Sequence, residues 1–572
     1  MKLRLHTFVS TVLLLGSSSL AIAHPQSGDS IRYLDQGWAE AQRQHFYTTT
    51  QGSQLMPLSW FLSLERPDNE EMFLADGLAR FGYLPNAKSS VNPDGLPVGF
   101  TEDRNGGTWV GLTCAACHTS QIEYHGAVIR IDGGPTSADI YAFLAELSAA
   151  LGSTLNDQVK FARFALKAGA NDPKAKRDLR NQLTRFTAYF STFVDASTPD
   201  SPWGPARADA FGMIFNRVAA IDLADKPYWE WFQSIEENYG VPDAPVSYPF
   251  LWGTSRLDFV QWNAVAENRH RYQRLGRNIG EALGVFARIN LRKPSSPLLG
   301  YSSSVNPTNQ SDIEENLIHS LKSPQWPVSI IGGIDPSKAT KGAQLYQQYC
   351  AACHQLVQRS GTTLVAVKKI PLQEVGTDPD MAVNVACRTA NTGALVGTKQ
   401  PPAVGHKLAQ SDFVLNLVSN VVVGVEGAWL IGSASHKASA NSASGAATVK
   451  TFELPQNVPI PFRISAAPQG NCMQDLEVYK AGPLGGIWAT APYLHNGSVP
   501  NLYQLLLPGN ERLKKFKVGS REFDPVNIGF DYAAGSFELD TTTKGNSNAG
   551  HEYGTAMTDE ERWQLVEYLK TL

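Results

Sequence analysis

The same five-residue stretch, Cys-Ala-Ala-Cys-His, occurs twice in this chain, at residues 114–118 and at residues 350–354. In the pattern C-x-x-C-H, two thiols are spaced to add to the vinyl groups of a porphyrin, and the histidine that follows lies where it can bind the iron. Each copy therefore predicts one covalently attached haem, so the chain is predicted to carry two haem c groups. The predicted cofactor-binding residues of the two copies are Cys114, Cys117, His118, Cys350, Cys353 and His354.

Three other uses of these cysteines stay open at this point. A zinc site of four cysteines has no need of the histidine that follows each pair. A redox C-x-x-C pair is expected near a βαβ pattern, and the sequence shows no such pattern around either copy. Structural disulfides are the third use, although two pairs of identical sequence would be an unusual choice. Covalent haem attachment explains both the cysteines and the histidines.

The two remaining cysteines are Cys387 and Cys472. In an oxidising compartment, the simplest hypothesis joins them in a disulfide. Such a bridge closes a long loop and would stabilise the fold by about 4 kcal/mol in the chain-entropy model. Two buried free thiols are the alternative.

The N-terminus predicts export. Lys2 and Arg4 precede a short apolar run, which ends in an Ala-x-Ala sequence at residues 21–23. This pattern is typical of a secretory signal peptide, here residues 1–23, and makes His24 the first mature residue. A membrane anchor, the alternative, needs about 20 unbroken apolar residues. We therefore expect the protein in the periplasm or outside the cell.

The composition is that of a globular protein. Of the 572 residues, 42% are hydrophobic and 18% are charged, which provides for a large core and argues against disorder. The net charge of −4 gives no indication of a nucleic-acid partner. We therefore expect no nucleic-acid partner. We also expect no membrane span, because no later stretch is long and apolar enough to span a bilayer.

The elements that must position the second motif are helices. A helical pattern runs into the motif, and the last segment, "TDEERWQLVEYLKTL", begins with a capping box of Thr558 and Glu561. A helix that enters C-x-x-C-H and a last helix that packs across it are the elements of a small cytochrome c. Residues 336–572 are therefore predicted to be a C-terminal haem domain, in which the Ser/Ala-rich residues 432–450 form a loop.

The first motif lies in a different setting. The sequence after it, "QIEYHGAVIRIDGGP", alternates like a hairpin, and three long amphipathic helical patterns follow. Residues 24–335 are therefore predicted to be an N-terminal haem domain with helical additions. For the whole chain we predict a mostly α fold, with two cytochrome-c-like haem cores, large helical insertions and a few short strands.

The sixth ligand of each iron decides its reactivity. A second histidine or a methionine gives an electron carrier, whereas an open position admits O₂ or peroxide. His495 is the candidate second ligand, because it lies in the compact loop "WATAPYLHNGSVPNLYQLL" in the same half of the chain as the second motif. The other spare histidines of the mature chain are His24, His45, His125, His270, His319, His406, His436 and His551.

Five stretches of the chain carry a family resemblance. They are "GLTCAACHTSQIEYHGAVIRIDGGP", "APVSYPFLWGTSRLDFVQWN", "GIWATAPYLHNGSVPNLYQLLLP", "VGSREFDP" and "GNSNAGHEYGT". With them the chain resembles the rubber-oxygenase-like dihaem proteins, within the superfamily of bacterial dihaem cytochrome c peroxidases. The resemblance implies a reactive N-terminal haem with His118 as its proximal ligand. It also implies a C-terminal haem with His354 and His495 as its axial pair.

The superfamily divides by chemistry. Peroxidase members reduce hydrogen peroxide with electrons from small donors and need a distal acid or base, whereas rubber-oxygenase members insert O₂ at a carbon–carbon double bond. The Phe/Trp-Asp-Gly-Arg-like segment typical of the peroxidases is missing here, and the nearest string is "SPWGPARADAFG" at residues 201–212. An oxygenase instead needs a dry, aromatic distal wall. The candidates for that wall are Phe250, Trp252, Phe259 and Trp262, with ordinary core packing as the alternative.

The sequence thus predicts a haem-dependent oxygenase that adds O₂ to an unsaturated lipid or polyisoprenoid. Its predicted catalytic residues are His118, Phe250, Trp252 and Trp262. Two alternatives stay open. One is a dihaem peroxidase that takes H₂O₂ and a small redox-protein donor, and the other is an electron-transfer cytochrome with both irons six-coordinate.

Overall fold

The structure is a computed structural model, and it describes residues 31–224, 233–291, 300–398, 407–442 and 472–572. The predicted signal peptide, residues 1–23, and His24 lie outside the described residues. None of the helices within the described residues is both long and apolar enough to cross a membrane.

Helices supply most of the regular structure in the described residues, as the predicted fold class requires. They are α1 (Glu40–Thr48), α2 (Leu58–Ser63), α3 (Ile140–Asn156), α4 (Gln158–Lys167), α5 (Pro173–Ala196), α6 (Ala210–Phe215), α7 (Arg271–Gly284), α8 (Pro307–Asp312), α9 (Val328–Ile331), α10 (Pro336–Tyr349), α11 (Leu372–Val375), α12 (Asp380–Cys387), α13 (Val414–Ser442), α14 (Leu502–Leu505) and α15 (Asp559–Leu569).

The strands are short, and they form small two- and three-stranded sheets rather than one continuous sheet. They are β1 (Arg32–Tyr33), β2 (Met56–Pro57), β3 (Phe100–Asp103), β4 (Trp109–Leu112), β5 (Thr119–Tyr124), β6 (Ala127–Asp132), β7 (Arg207–Ala208), β8 (Val246–Ser247), β9 (Phe259–Val260), β10 (Ala266–Glu267), β11 (Ile289–Asn290), β12 (Ser302–Ser303), β13 (Lys368–Pro371), β14 (Thr389–Asn391), β15 (Ser411–Phe413), β16 (Val478–Ala481), β17 (Lys515–Val518), β18 (Phe523–Asp524), β19 (Gly529–Phe530) and β20 (Phe537–Asp540).

The predicted hairpin after the first motif is confirmed. Strands β5 and β6 pair antiparallel, with Thr119 opposite Asp132 and Tyr124 opposite Ala127. His125 and Gly126 make the turn with φ of 47° and 80°, as a two-residue hairpin loop requires. Helices α3, α4 and α5 follow where the sequence predicts amphipathic helices, and they pack with α2 around an aromatic core.

Helices α10 and α15 hold the second motif, as predicted. Asp335 caps α10 by accepting hydrogen bonds from two backbone amides of its first turn, and Thr558 and Glu561 form the predicted capping box of α15. The two helices cross at Gly342, where a Cβ atom would lie only 2.0 Å from the Gln564 carbonyl oxygen. The close crossing therefore requires glycine, and it fixes the end of α10 that leads into Cys350.

The prediction of a loop at residues 432–450 is partly wrong. Helix α13 continues to Ser442, so the first part of that stretch is helical, and residues 443–450 lie outside the described residues. Alanine has the highest helix propensity of all residues, and the Ala-rich stretch extends a helix that has already begun. The first half of α13 is buried in the core.

Cys387, at the end of α12, forms a disulfide with Cys472. Their Sγ atoms are 2.03 Å apart and their Cα atoms 4.2 Å apart. This is the pairing that the sequence analysis favours over two free thiols. The bridge joins the end of α12 to the segment that leads into β16.

Candidate haem sites

The first motif folds as one tight turn. Residues Cys114–Ala116 form a short 3₁₀ turn, which the Thr113 hydroxyl caps by accepting a hydrogen bond from the Ala115 amide at 3.2 Å. The His118 amide donates to the Cys114 carbonyl at 3.0 Å. Both thiols and the imidazole are therefore held within one compact turn, as attachment to a single porphyrin requires.

The His118 ring presents one free nitrogen. Its Nδ1–H donates to the Pro249 carbonyl oxygen at 2.8 Å, which leaves Nε2 as the nitrogen that can bind a metal. Burial lowers the pKa of His118 to about 4, so the ring is neutral at physiological pH. A neutral, oriented imidazole is the state that metal ligation needs.

The second motif repeats this arrangement. The His354 Nδ1–H donates to the Gly482 carbonyl at 2.7 Å, so Nε2 is again the available nitrogen. The Tyr346 hydroxyl of α10 donates to the His354 carbonyl at 2.6 Å, and burial lowers the pKa of His354. Two motifs far apart in the chain thus orient their histidines through the same kind of bond.

The four motif cysteines are free thiols, which excludes disulfides within or between the motifs. Burial raises the pKa of Cys114 and Cys117 to about 12 and that of Cys350 to about 11. Among the described residues, these thiols do not converge into a group that could hold a metal ion, so the four-cysteine zinc site is not formed. The reduced thiols and oriented histidines fit covalent haem at both motifs.

The first motif opens onto a cavity of about 160 Å³, which we call the first cavity. Its wall is mainly apolar, and His118 is the only histidine among its described lining residues. The apolar lining residues include Leu112, Ile140, Phe211, Met213, Ile214, Val246, Met381, Leu415 and Val418.

The second motif opens onto a cavity of about 220 Å³, the second cavity, which contains two further histidines. His495, the predicted ligand, lines it, but its ring is stacked on Tyr479, with centroids 4.1 Å apart and an interplanar angle of 26°. His551 also lines it, and its ring centroid lies 6.2 Å from that of His354. Nδ1 of His551 makes no hydrogen bond to another described residue.

The spacing of His354 and His551 matches two ligands of one iron. With metal–nitrogen bonds of about 2 Å on each side, two imidazoles that share one metal have ring centroids about 6 Å apart. Burial lowers the pKa of His551 to about 3, so this ring too is neutral. From the sequence alone, His551 is one of the spare histidines, although it lies in the matching stretch "GNSNAGHEYGT".

A third cavity of about 240 Å³, the middle cavity, is lined by both His118 and His354. The aromatic residues predicted for the distal wall lie mainly here. Phe250 stacks on Trp252, with centroids 4.8 Å apart, and Trp252 donates from Nε1 to the Gly485 carbonyl at 2.7 Å. Both rings line the middle cavity, together with His118.

Trp262 is the one predicted aromatic that lines all three of these cavities. Its Nε1 donates to the Ser247 carbonyl at 3.0 Å. Phe259 lines none of the three; it lies instead under the Lys369 ammonium, 3.5 Å from the ring centroid. Of the four aromatic residues predicted for the distal wall, Trp262 alone lines the first cavity, and their role at a haem stays a prediction.

The structure adds an acidic residue that sequence reasoning missed. Glu281, on α7, lines the first and middle cavities and accepts a hydrogen bond from Gln261 at 2.9 Å. Burial raises the pKa of Glu281, while the neighbouring Arg277 lowers it. A sequence signal for this residue was absent, because Gln261 and Glu281 meet only through the folding of α7 against the loop after β9.

Comparison with known proteins yields a family model and two relatives. The model, described as "RoxA-like, cytochrome c-like", matches residues 478–517, which include His495. The "Uncharacterized protein y4iJ" of Sinorhizobium fredii is 33% identical over 616 residues, covering 95% of this chain and 94% of that protein. The "Uncharacterized protein y4iM" of the same organism is 34% identical over 117 residues, covering 16% of this chain and 27% of that protein.

Proposed function

Since this chain belongs to the family of the Sinorhizobium fredii protein y4iJ and carries a RoxA-like cytochrome c segment, we propose that it is an exported dihaem oxygenase. The cytochrome c-like segment makes it a c-type cytochrome with covalently bound haem c. In this function the protein carries two haems and acts on an unsaturated lipid or polyisoprenoid, whose double bond receives O₂.

The asymmetry between the first and second cavities carries this proposal. His118 stands alone as a histidine in the described lining of the first cavity, whereas His354 faces His551 across the second. Cys114, Cys117 and His118 would hold a haem whose sixth position faces no second histidine of the described lining, and a position left open admits O₂. His354 and His551 would together hold the haem of the second motif, which would supply electron transfer to the first.

His118, Trp262 and the apolar wall of the first cavity would have different roles in this reaction. His118, oriented by the Pro249 carbonyl, would hold the first iron from one side. The haem, when bound, supplies the chemistry of O₂ binding and activation. The apolar wall of the first cavity would exclude water and hold a hydrocarbon chain near the iron, with Trp262 separating it from the second cavity.

Oxygen uptake tests the proposed reaction. We expect the purified dihaem protein to consume O₂ with oleate, linoleate or polyisoprene, and to be inactive with their saturated counterparts. Absence of uptake with every unsaturated substrate would exclude the oxygenase.

Haem spectra test whether a methionine closes the first iron. Met213 and Met381 line the first cavity and are the candidate methionine ligands. Met213→Leu and Met381→Leu should leave the haem spectra unchanged.

Glu281 favours a second candidate function, reduction of hydrogen peroxide. A carboxyl group on the first cavity provides the acid or base that O–O cleavage needs. In a peroxidase, Glu281→Gln should lower peroxide turnover by about 10²–10⁴-fold and keep the haem spectra. Glu237→Gln, an exposed change, is the control. In an oxygenase without proton transfer at this site, Glu281→Gln should leave O₂ uptake largely intact.

A further inference from the structure

Basic side chains outnumber acidic side chains in the lining of the middle cavity. Four basic side chains line it, and Glu281 is the only acidic side chain among its described lining residues. The basic residues are Arg256, Arg277, Arg359 and Lys480. A cavity between two motif histidines with such an excess of positive charge is suited to anions.

Three of these four cations have no carboxylate partner among the described residues. Arg277 is the exception, because it forms a buried salt bridge with Glu314. Arg256 donates to the Gln358 carbonyl at 2.9 Å and the Thr363 carbonyl at 3.3 Å. Arg359 donates likewise to the backbone carbonyls of Ser323 and Asp35.

Lys480 is the most informative of these cations. It lies on β16 and lines both the middle and the second cavity. Its ammonium lies 5.7 Å from the Trp262 ring centroid, and no carboxylate of the described residues forms a salt bridge with it. Burial lowers its pKa to about 8. Lys480 is half-buried, and withdrawing an uncompensated cation from water costs free energy, which a bound anion would offset.

We infer that the middle cavity is a carboxylate-binding site, in which Lys480, Arg256 and Arg359 hold the propionate groups of the two haems. This inference rests on the haem attachment in the proposed function, but not on the oxygenase reaction. Each haem carries two propionates, and both motif histidines line this cavity. Since Lys480 also lines the second cavity, it would act mainly on the second haem.

Potentiometry of the dihaem protein tests this site without any substrate. A cation beside a haem disfavours the ferric state, so its removal should lower the midpoint potential. We expect Lys480→Met to lower the potential of the low-spin haem and Lys480→Arg to preserve it. Lys341→Met removes an exposed lysine of α10 and should have no effect. If Lys480→Met fails to incorporate haem, Arg359→Gln takes its place, with the same expected direction.

A free fatty acid is the other source of a carboxylate, and binding of oleate against methyl oleate distinguishes the two. Propionate occupancy predicts a lowered potential in Lys480→Met with unchanged oleate affinity. If a fatty acid occupies the cavity, Lys480→Met should lose the preference for oleate over its ester and keep the midpoint potential of the wild-type protein. That result would still identify a carboxylate site. If neither the potential nor the oleate preference changes, the carboxylate site is refuted. Failure of the oxygenase reaction would not affect either possibility, binding of haem propionates or binding of a fatty acid.

Discussion

The rings of His354 and His551 lie 6.2 Å apart, centroid to centroid, at an interplanar angle of 49°. They face each other in a cavity that also contains Cys350 and Cys353. Within the described residues, the His354 ring contacts no other histidine ring. This pair is therefore our proposed axial pair of the second haem, in place of His354 with His495.

Two alanine variants decide between the candidate ligands. His551→Ala should convert the second haem from low spin to high spin while both haems stay attached, because the iron loses its sixth ligand. His495→Ala should leave the low-spin signal in place, because the imidazole of His551 opposite His354 is retained. Electron paramagnetic resonance at low temperature measures both. The reverse pattern would restore His495 as the ligand.

The crossing of α10 and α15 predicts a steric effect at Gly342. Gly342→Ala would place a methyl group 2.0 Å from the Gln564 carbonyl oxygen, so the helices must separate. We expect a loss of about 1–3 kcal/mol in the free energy of unfolding, measured by urea titration of the haem-loaded protein. Gly152→Ala is the matched control, because Gly152 lies inside α3 with nothing near its Cβ position. That change should be neutral or stabilising by up to about 1 kcal/mol.

The Cys387–Cys472 bridge should contribute measurably to stability. The double variant Cys387→Ser, Cys472→Ser is expected to lose about 2–4 kcal/mol of unfolding free energy, because the unfolded chain regains the freedom of a long loop. Both haems should stay attached, since neither cysteine belongs to a motif. A reductant should weaken the wild-type protein and leave the double variant unaffected. Equal sensitivity of both proteins to reductant would contradict this role.

Glu426 predicts a pH dependence of stability. The residue is buried in α13, neither carboxyl oxygen has a partner among the described residues, and burial raises its pKa from 4.5 to about 8. In the unfolded chain the group ionises near pH 4.5, whereas in the folded protein it stays protonated up to about pH 8. Its contribution therefore destabilises the fold progressively as the pH rises from about 4.5 to 8.

The variant Glu426→Gln isolates that contribution. It should raise the free energy of unfolding at pH 8 by on the order of a few kcal/mol and have little effect at pH 4. The exposed change Glu511→Gln is the control, with no expected difference at either pH. An equal effect of Glu426→Gln at both pH values would show that packing, rather than ionisation, sets its contribution.

Local features of the haem sites were predictable from the sequence. The motif residues follow from covalent chemistry that fixes their spacing, and the hairpin β5–β6 and helices α10 and α15 follow from short-range patterns. The extent of α13 was not predictable, because a Ser/Ala-rich composition is compatible both with a loop and with the continuation of a helix that begins in the preceding residues.

The parts of the site that depend on long-range contacts were not predictable. His354 and His551 lie far apart in the sequence and meet only in the folded protein, so nothing in the local sequence distinguishes His551 from His495. Likewise Lys480 and Arg359 line one cavity although they lie far apart in the chain. The hydrophobic core also depends on long-range contacts, because one cluster includes residues from Trp38 to Leu569. This cluster crosses the predicted domain boundary between residues 335 and 336. The boundary itself stays a prediction.

The spin states of the resting protein test the central claim most directly. A pyridine haemochrome assay gives the number of haems per chain, and electron paramagnetic resonance of the same sample gives their ligation. We predict two haems, one high-spin with an exchangeable sixth position and one low-spin with two imidazoles. A single haem, or two low-spin haems that bind no added ligand, would contradict an open iron at His118 and leave only an electron carrier.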